Sequence, residues 1–397
     1  MNNKGYDILI VGGGVIGSSI AYHLIRDSSD AKVAVLEKDP TYEFATTPRS
    51  AGGFRQQFVQ EVNIRMSLYG TQQIERFDEE MMVDGEPANA EFRKSGYLFL
   101  GIDDNWGPLQ RQTQIQRSFG AEVDLLEPEE VKKLIPDLNL EGLRGAALGR
   151  RAGYTDPYGI LQGYRRKAKS LGGTYLHAEA VDILRAKDRV VGIRTAKGET
   201  IEGKAVVIAA GAWTGEVGSR AGINLPVDPI PRMAFCFDPA TKFNYDLPLV
   251  VAPGGMYFRH ESGRQIFVSR AGQDDLPGFR FDWNRHFFEK EIWPDLARWI
   301  PCFERLKINR GWTGLIDLCR HDRNALLGAY PGVDGLYVAA GFSGHGLQHA
   351  PAAGRGIAEL IQKGRYETID LRPLGVERIF TGRKVLEEGS LVSHSAV

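Results

Sequence analysis

Two glycine-rich turns stand near opposite ends of the 397-residue chain, each between an apolar run and a helix-like pattern. The first, in "DILIVGGGVIGSSIAYHLI", spaces Gly12, Gly14 and Gly17 as G-x-G-x-x-G. In such a turn the first glycine permits a tight bend and the second lets backbone approach a pyrophosphate. The third lets helix and strand pack closely. Val15 and Ile16 open the helix, where unpaired N–H groups and partial positive charge face a phosphate. Glu37 ends the next apolar run, "KVAVLE", at the distance where an acid accepts hydrogen bonds from a ribose, and Lys38 follows it. Without that context a bare glycine turn could merely ease packing.

The second turn lies in "GLYVAAGFSGHGLQHAPAAG" and runs Gly341, Phe342, Ser343, Gly344, His345, Gly346, Leu347, Gln348. A helix starting near Gly346 aims its free N–H groups at its own beginning, a place that stabilises negative charge. His345 could equally be a turn histidine bonded to nearby backbone. A third junction, "VVIAAGAW", carries Ala210, Gly211 and Trp213 after an apolar strand. Elsewhere, Arg55 in "GGFRQQF" offers a planar guanidinium that can grip a carboxylate with two parallel hydrogen bonds. Tyr257 and Arg259 alternate in "GMYFRHE", so a strand there would point both to one face. No Ser/His/Asp or paired-carboxylate constellation is visible, and no metal site is expected.

Those residues need a scaffold. Tyr6–Val11, a helix from Gly14 to about Arg26 and the strand Lys32–Glu37 make a βαβ unit, which predicts parallel strands with a right-handed crossover. A polar stretch, "ATTPRSAGGFRQQF", precedes a helical pattern over about 63–77. From about Gly85 the texture changes to short strands and polar or proline-punctuated helices. It changes again at Pro226, where aromatic and alternating segments suggest an antiparallel sheet. The expected fold class is therefore α/β with an α+β part: a parallel-sheet nucleotide domain made of 1–84, 151–225 and 309–397. A substrate domain made of 85–150 and 226–308 is inserted into it in two pieces.

Composition sets limits on this reading. Apolar residues make up 43% and charged residues 25%, the balance of a globular chain with a packed core. A net charge of −1 gives no overall pull toward nucleic acid or an anionic membrane. Cys236, Cys302 and Cys319 are widely spaced and odd in number, which suits neither a disulfide framework nor a zinc site and points to a reducing compartment. The start, "MNNKGYD", lacks a basic stretch before a long apolar run, and no segment reaches 18 consecutive apolar residues. A cytoplasmic protein without a transmembrane segment is expected.

Taken with "RSAGGFRQQF", "VVIAAGAW" and "MYFRHESG", the two glycine turns resemble the D-amino-acid oxidase/sarcosine oxidase class of FAD-dependent amine oxidoreductases, the DAO superfamily. Within that class the C-terminal third, "GWTGLIDLCRHDRNALLG…GFSGHGLQHAPAAGRGIAELI", is most similar to bacterial relatives of a mitochondrial flavoprotein linked to respiratory complex I assembly. The resemblance implies an extended FAD with its pyrophosphate at Gly12–Gly17 and its adenosine ribose on Glu37. It places Val181 beside the adenine through backbone groups. Thr46, Arg49 and Ser50, with Ala51 and Gly52 following, would lie along the path from phosphates to ring. The C-terminal turn, with His345, would back the isoalloxazine. Arg55 matches a carboxylate-binding arginine, and Tyr257 and Arg259 fall in the substrate sheet.

Three departures shape the expected activity. Gln348 stands where sarcosine oxidases carry a lysine that helps hold the carboxylate. Gln265 falls where sarcosine oxidases place a lysine over the flavin that promotes reaction with oxygen, which favours a dehydrogenase. Leu315 replaces a cysteine that attaches flavin in some relatives, with Cys319 four residues beyond, so FAD is expected to be non-covalent. The implied reaction oxidises the C–N bond of a secondary amine or amino acid, sarcosine-like, by hydride transfer to give an imine that hydrolyses. Oxidation of a 2-hydroxy acid or D-amino acid remains open, as does a role as assembly or electron-transfer partner. The implied partners are a small amine or amino-acid substrate and an acceptor protein or quinone, with oligomeric state left open.

Overall fold

A computed structural model of the chain describes residues 5–28, 30–271 and 276–387; Met1 to Lys4 of the N-terminal stretch lie outside them. Two eight-stranded sheets carry the architecture, in keeping with the mixed α/β class read from the sequence.

The first sheet runs, in spatial order, Leu326–Ala329, Leu336–Ala340, Thr200–Ile208, Tyr6–Val11, Val33–Glu37 and Thr174–His177. Its inner pairs are parallel: Ile8 lies opposite Ala205 on one side and Val33 on the other. Both faces of Tyr6–Val11 are covered, which is why it reads as an unbroken apolar run rather than an alternation. Ile8 and Ile10 pack with helix residues such as Ile20, Leu24 and Ile357. Leu9 and Val11 pack toward Ile183 and Ile193 of an antiparallel flap, Ala180–Ala186 with Arg189–Thr195.

On the helix side, Val15–Asp27 lies against Gly346–Lys363 and Pro157–Ser170. Small residues let the backbones meet: a Cβ at Gly354 would overlap Ser19, and one at Gly70 would overlap the Gln348 carbonyl oxygen. The latter draws the helix Glu61–Ile74 against Gly346–Lys363. The helical pattern expected over 63–77 is thus a helix over Glu61–Ile74 followed by a short one, Phe77–Glu80.

The second sheet runs Leu306–Cys319, Val227–Pro239, Ile266–Ser269, Tyr257–His260, Leu249–Val251, Tyr97–Gly101, Gly145–Gly149 and Val123–Leu126. All its pairs are antiparallel except Leu249–Val251 with Tyr97–Gly101. Its two longest strands pair from Val227 opposite Cys319 to Pro239 opposite Leu306. Residues 309–319, grouped from the sequence with the nucleotide part, run inside this strand, so the boundary expected at 309 falls within one β-strand. The run "GWTGLIDL" misled because its apolar texture does not tell which of the two sheets a strand joins.

Candidate functional site

Between the two sheets lies a cavity of about 700 Å³. Its long wall begins at the first glycine turn. Gly12 takes φ +100°, where a Cβ would overlap the Ala209 carbonyl oxygen, and a Cβ at Gly17 would overlap the Gly12 carbonyl oxygen. Gly17 therefore packs helix onto strand and does not itself line the cavity, whereas Gly12, Gly14, Val15 and Ile16 do. A Cβ added at Gly14 would meet nothing within 4 Å. The helix that starts there has no side-chain cap, so its first N–H groups open onto the cavity.

Glu37 closes the second strand with one carboxylate oxygen accepting from Gly13 N–H and the other from Asp39 N–H, both at 2.8 Å. Burial pushes its carboxyl upward, against those two bonds. Beside it Lys38 Nζ sits 3.9 Å from the centre of the Trp213 ring. Ala210 and Gly211 complete this end. Val181 does not line the cavity; Ala178, Glu179 and Ala180 do. These three residues stand where the chain crosses the Glu37 end on its way into the flap, and Ala178 N–H bonds Glu37 C=O.

The middle of the wall is the segment Thr46–Gly52. Thr46 Oγ1 donates to Leu315 C=O at 2.6 Å, and Arg49 Nη1 donates to Thr313 C=O at 2.9 Å, tying this loop to the second sheet. Ser50, Ala51 and Gly52 line the cavity, and Ser50 Oγ is buried there without a protein partner. From the second sheet, Ile230, Arg232 and Ala234 face the same space at every other residue of one strand, as do Phe267 and Ser269 of another.

The far end is built on the C-terminal turn. Leu336–Ala340 leads into Gly341, Phe342, Ser343 and Gly344, and the helix begins at Gly346 with His345 as an uncapped N-terminus. All of Phe342 to Gln348 line the cavity; Gly341 lies just behind, giving its N–H to Asp317. Across from them Arg55 is 4% exposed. Its guanidinium donates to Gln57 C=O, lies 4.1 Å from the Phe58 ring centre and reaches His345 Nε2 at 3.2 Å. An arginine can only donate, so Nε2 accepts and the imidazole is neutral. Burial first, then the Arg55 charge, with His349 adding to it, hold His345 well below its ordinary pKa. His349, bonded to Ser67 Oγ at 3.0 Å, is pushed by burial down to about 3.

Several expected residues stand elsewhere. Tyr257 lines the cavity, but Arg259 does not. Its guanidinium turns to Ala51 C=O, at 2.8 Å, and to Glu261, at 3.1 Å, bracing the wall from behind. Gln265 is also outside the cavity, at the end of a short turn before the strand whose Phe267 and Ser269 face inward. Leu315 lines the cavity and Cys319 does not. Among the lining residues that the sequence did not single out are Glu387 on the C-terminal tail, for which the sequence offers no signal, and Asp317. The latter is a lone acid inside the apolar run "GLIDL" and could have been flagged on that ground.

These features fit an extended dinucleotide. Amide-rich helix starts open at both ends, the Gly14 cradle is clear, Ser50 Oγ lacks a protein partner, and an acid ends the second strand. Among the described residues no His, Cys, Asp and Glu cluster suits a metal, and no helix is long and apolar enough to cross a membrane.

Comparison with known proteins agrees with this fit. The chain is 36% identical over 421 residues to FAD-dependent oxidoreductase domain-containing protein 1 of Xenopus laevis, covering 96% of this chain and 84% of the relative. It is 28% identical to sarcosine oxidase subunit beta of Rhodobacter capsulatus, covering 91% and 86%. In three dimensions it is similar to L-proline dehydrogenase from P. horikoshii, with a TM-score of 0.87, 28% identity and coverage of 96% and 99%. Residues 7–360 match the DAO model, described as FAD dependent oxidoreductase. With the two glycine turns and the cavity they bound, this match over most of its length makes the chain a member of the DAO family of FAD-dependent oxidoreductases.

Proposed function

We propose that the chain oxidises the C–N bond of a secondary amine or amino acid of the sarcosine or N-substituted glycine type, passing electrons to an acceptor other than oxygen. The observation that carries the proposal is Arg55: a guanidinium 4% exposed, held at the end of the cavity where the C-terminal turn stands. A buried cation of fixed orientation is suited to one carboxylate. Sarcosine and L-proline, named in two of the relatives, are both secondary α-amino acids with one carboxylate.

When bound, FAD supplies the hydride acceptor, and the protein supplies orientation and electrostatics. Arg55 would hold the carboxylate, with Phe58, Tyr97 and Phe99 around its guanidinium, at 4.1, 5.7 and 5.4 Å from their ring centres, excluding water. Tyr257 would close the substrate from the second sheet. The open N–H groups of Gly346 and Leu347 would stabilise negative charge arriving at the helix start. His345 is committed as an acceptor to Arg55 and is not a free base. The substrate would therefore enter as the neutral amine, and no protein base is required. The cofactor path would run from Gly12–Ile16 and Glu37 past Thr46 and Arg49–Gly52 to Phe342–Gln348. The parallel-sheet part then serves as cofactor domain and the antiparallel part as substrate domain. With Leu315 on the wall and no cysteine lining it, FAD would be held non-covalently.

The dehydrogenase reading is supported by the inward face Phe267 and Ser269, which brings no lysine to the cavity. Anaerobic mixing with N-methyl amino acids, D-amino acids and 2-hydroxy acids tests the substrate class. Bleaching of the flavin absorbance by N-methyl amino acids or proline is expected. Bleaching by 2-hydroxy acids alone would replace the proposal, and bleaching by none would favour a partner role. Stopped-flow reoxidation of the reduced enzyme should be slow in oxygen; rapid, saturable reoxidation would make it an oxidase.

A further inference from the structure

We propose that Asp317 is a positioning residue for the cofactor, a fixed negative charge behind the Gly341–Gly344 turn that lowers the flavin potential and so favours handing electrons on. The proposal rests on the reading that the flavin ring lies against this turn.

Three observations converge on Asp317. First, it joins strand and turn. Its Oδ2 accepts the N–H groups of Gly341 at 2.9 Å and Phe342 at 3.0 Å, and its backbone carbonyl accepts Ser343 N–H at 3.0 Å. Ser343 is a non-glycine residue at φ +52°, a conformation that costs energy and persists only where the surroundings impose it. Its hydroxyl completes the clamp, accepting Cys319 N–H at 3.0 Å and donating to Gly341 C=O at 3.2 Å.

Second, Asp317 lines the cavity while being only 7% exposed, and among the described residues it forms no ion pair. Its neighbours in sequence differ. Arg320 pairs with Asp228, and Asp322 is neutralised by Arg378. Burial raises the Asp317 carboxyl to about 6, with the two turn amides opposing the rise, so the group is charged at neutral pH and above.

Third, the charge is not needed for the hydrogen bonds. One amide oxygen would accept the same two N–H groups without the desolvation cost of a buried carboxylate. The fold keeps an unpaired charge on the wall of a cavity whose ligand gains negative charge on reduction. Like charges at close range in a poorly solvated site repel, and the reduced form is the one disfavoured. Arg55, at the other side of the turn, has the opposite sign. The two groups therefore divide the work: Arg55 attracts the anionic substrate, and Asp317 makes the reduced cofactor a better donor.

The test is the midpoint potential of the FAD-loaded protein by dye equilibration at pH 8, which needs no substrate. Asp317→Asn and Asp317→Ser remove the charge, the first keeping the acceptor; Asp317→Glu keeps the charge. The neutral variants should favour reduction about tenfold, a rise of about 30 mV for a two-electron couple, while Asp317→Glu stays near the parent value. Unchanged potentials in both neutral variants would overturn the proposal. So would a rise in Asp317→Glu equal to theirs, or loss of FAD from both neutral variants with Asp317→Glu retaining it. Gln348→Lys, at the first turn of the helix, separates the two readings. A rise there with none at Asp317 removes the role of Asp317 alone, and no rise in either removes the placement of the ring.

Discussion

Gln348 Oε1 accepts the backbone N–H of Arg55 at 3.0 Å, joining the C-terminal helix to the loop that carries the buried guanidinium. The two residues are 293 positions apart in sequence, and both are 4% exposed. A lysine in place of Gln348 has three donors and no acceptor. It would leave the Arg55 N–H unsatisfied and set a second cation beside the first. The departure at Gln348 is thus a local solution in which the helix positions Arg55 by its backbone.

Gln348→Lys should therefore destabilise the protein by about 1–3 kcal/mol, the cost of an unpaired buried donor, seen as a thermal midpoint lower by a few degrees. Gln348→Glu restores an acceptor and should lose less. A Gln348→Lys variant as stable as the parent would show that the Arg55 amide finds another partner.

Arg55 itself is predicted to act through substrate binding rather than cofactor retention. Arg55→Lys keeps a charge but loses the fork, and Arg55→Met loses both. Leaving a bound carboxylate unpaired costs about 3–4 kcal/mol, so Arg55→Met should raise the substrate concentration for half-maximal anaerobic bleaching by roughly 100- to 1000-fold. The flavin content should stay close to the parent's. A variant that loses FAD and substrate affinity together would place Arg55 on the cofactor instead.

How far the sequence reaches depends on whether a signal is local. Gly12, Gly14, Gly17 and Glu37 belong to one βαβ unit, so their spacing fixes their geometry, and the C-terminal turn is equally self-contained. Tyr257 and Arg259 show where locality ends. Strand alternation puts both on one face, yet a long side chain follows its partners, here Ala51 C=O and Glu261, out of the cavity. Val181 stands one residue beyond the lining, because the segment 178–180, which enters the strand, is what meets the cavity. The boundary at 309 falls inside a 14-residue strand of the second sheet whose more buried half, Thr313–Cys319, has the apolar texture of a nucleotide-fold strand. Asp317 was visible as an acid in an apolar run, but its partners at Gly341 and Phe342 depend on the pairing of distant segments.

The raised Asp317 carboxyl also affects stability. The protonated form is favoured in the folded state, so its contribution is fully present below the ordinary value of 3.8 and is lost as pH rises through about 6. Asp317→Asn removes this term. The apoprotein variant should be more stable than the parent at pH 7.5, by an amount of order 1–3 kcal/mol, and the gap should close toward pH 4. Thermal midpoints at several pH values measure it, and a gap that does not narrow on acidification would mean that Asp317 is not desolvated as described.

Gly14 and Gly17 should fail in opposite ways although they are three residues apart in one motif. A Cβ at Gly17 would overlap the Gly12 carbonyl oxygen and press on Ile10, both part of the helix–strand contact. Gly17→Ala must therefore shift backbone, and the apoprotein itself should lose stability. At Gly14 an added Cβ meets no protein atom within 4 Å and projects beside the open helix start. Gly14→Ala should thus fold as the parent does while filling the space a pyrophosphate would take. Thermal midpoints of the two apoproteins, set beside FAD affinity from fluorescence quenching, resolve the two effects. The expected outcome is a normal midpoint with weakened FAD binding for Gly14→Ala and a lowered midpoint for Gly17→Ala. Full FAD affinity in Gly14→Ala would move the pyrophosphate off this turn.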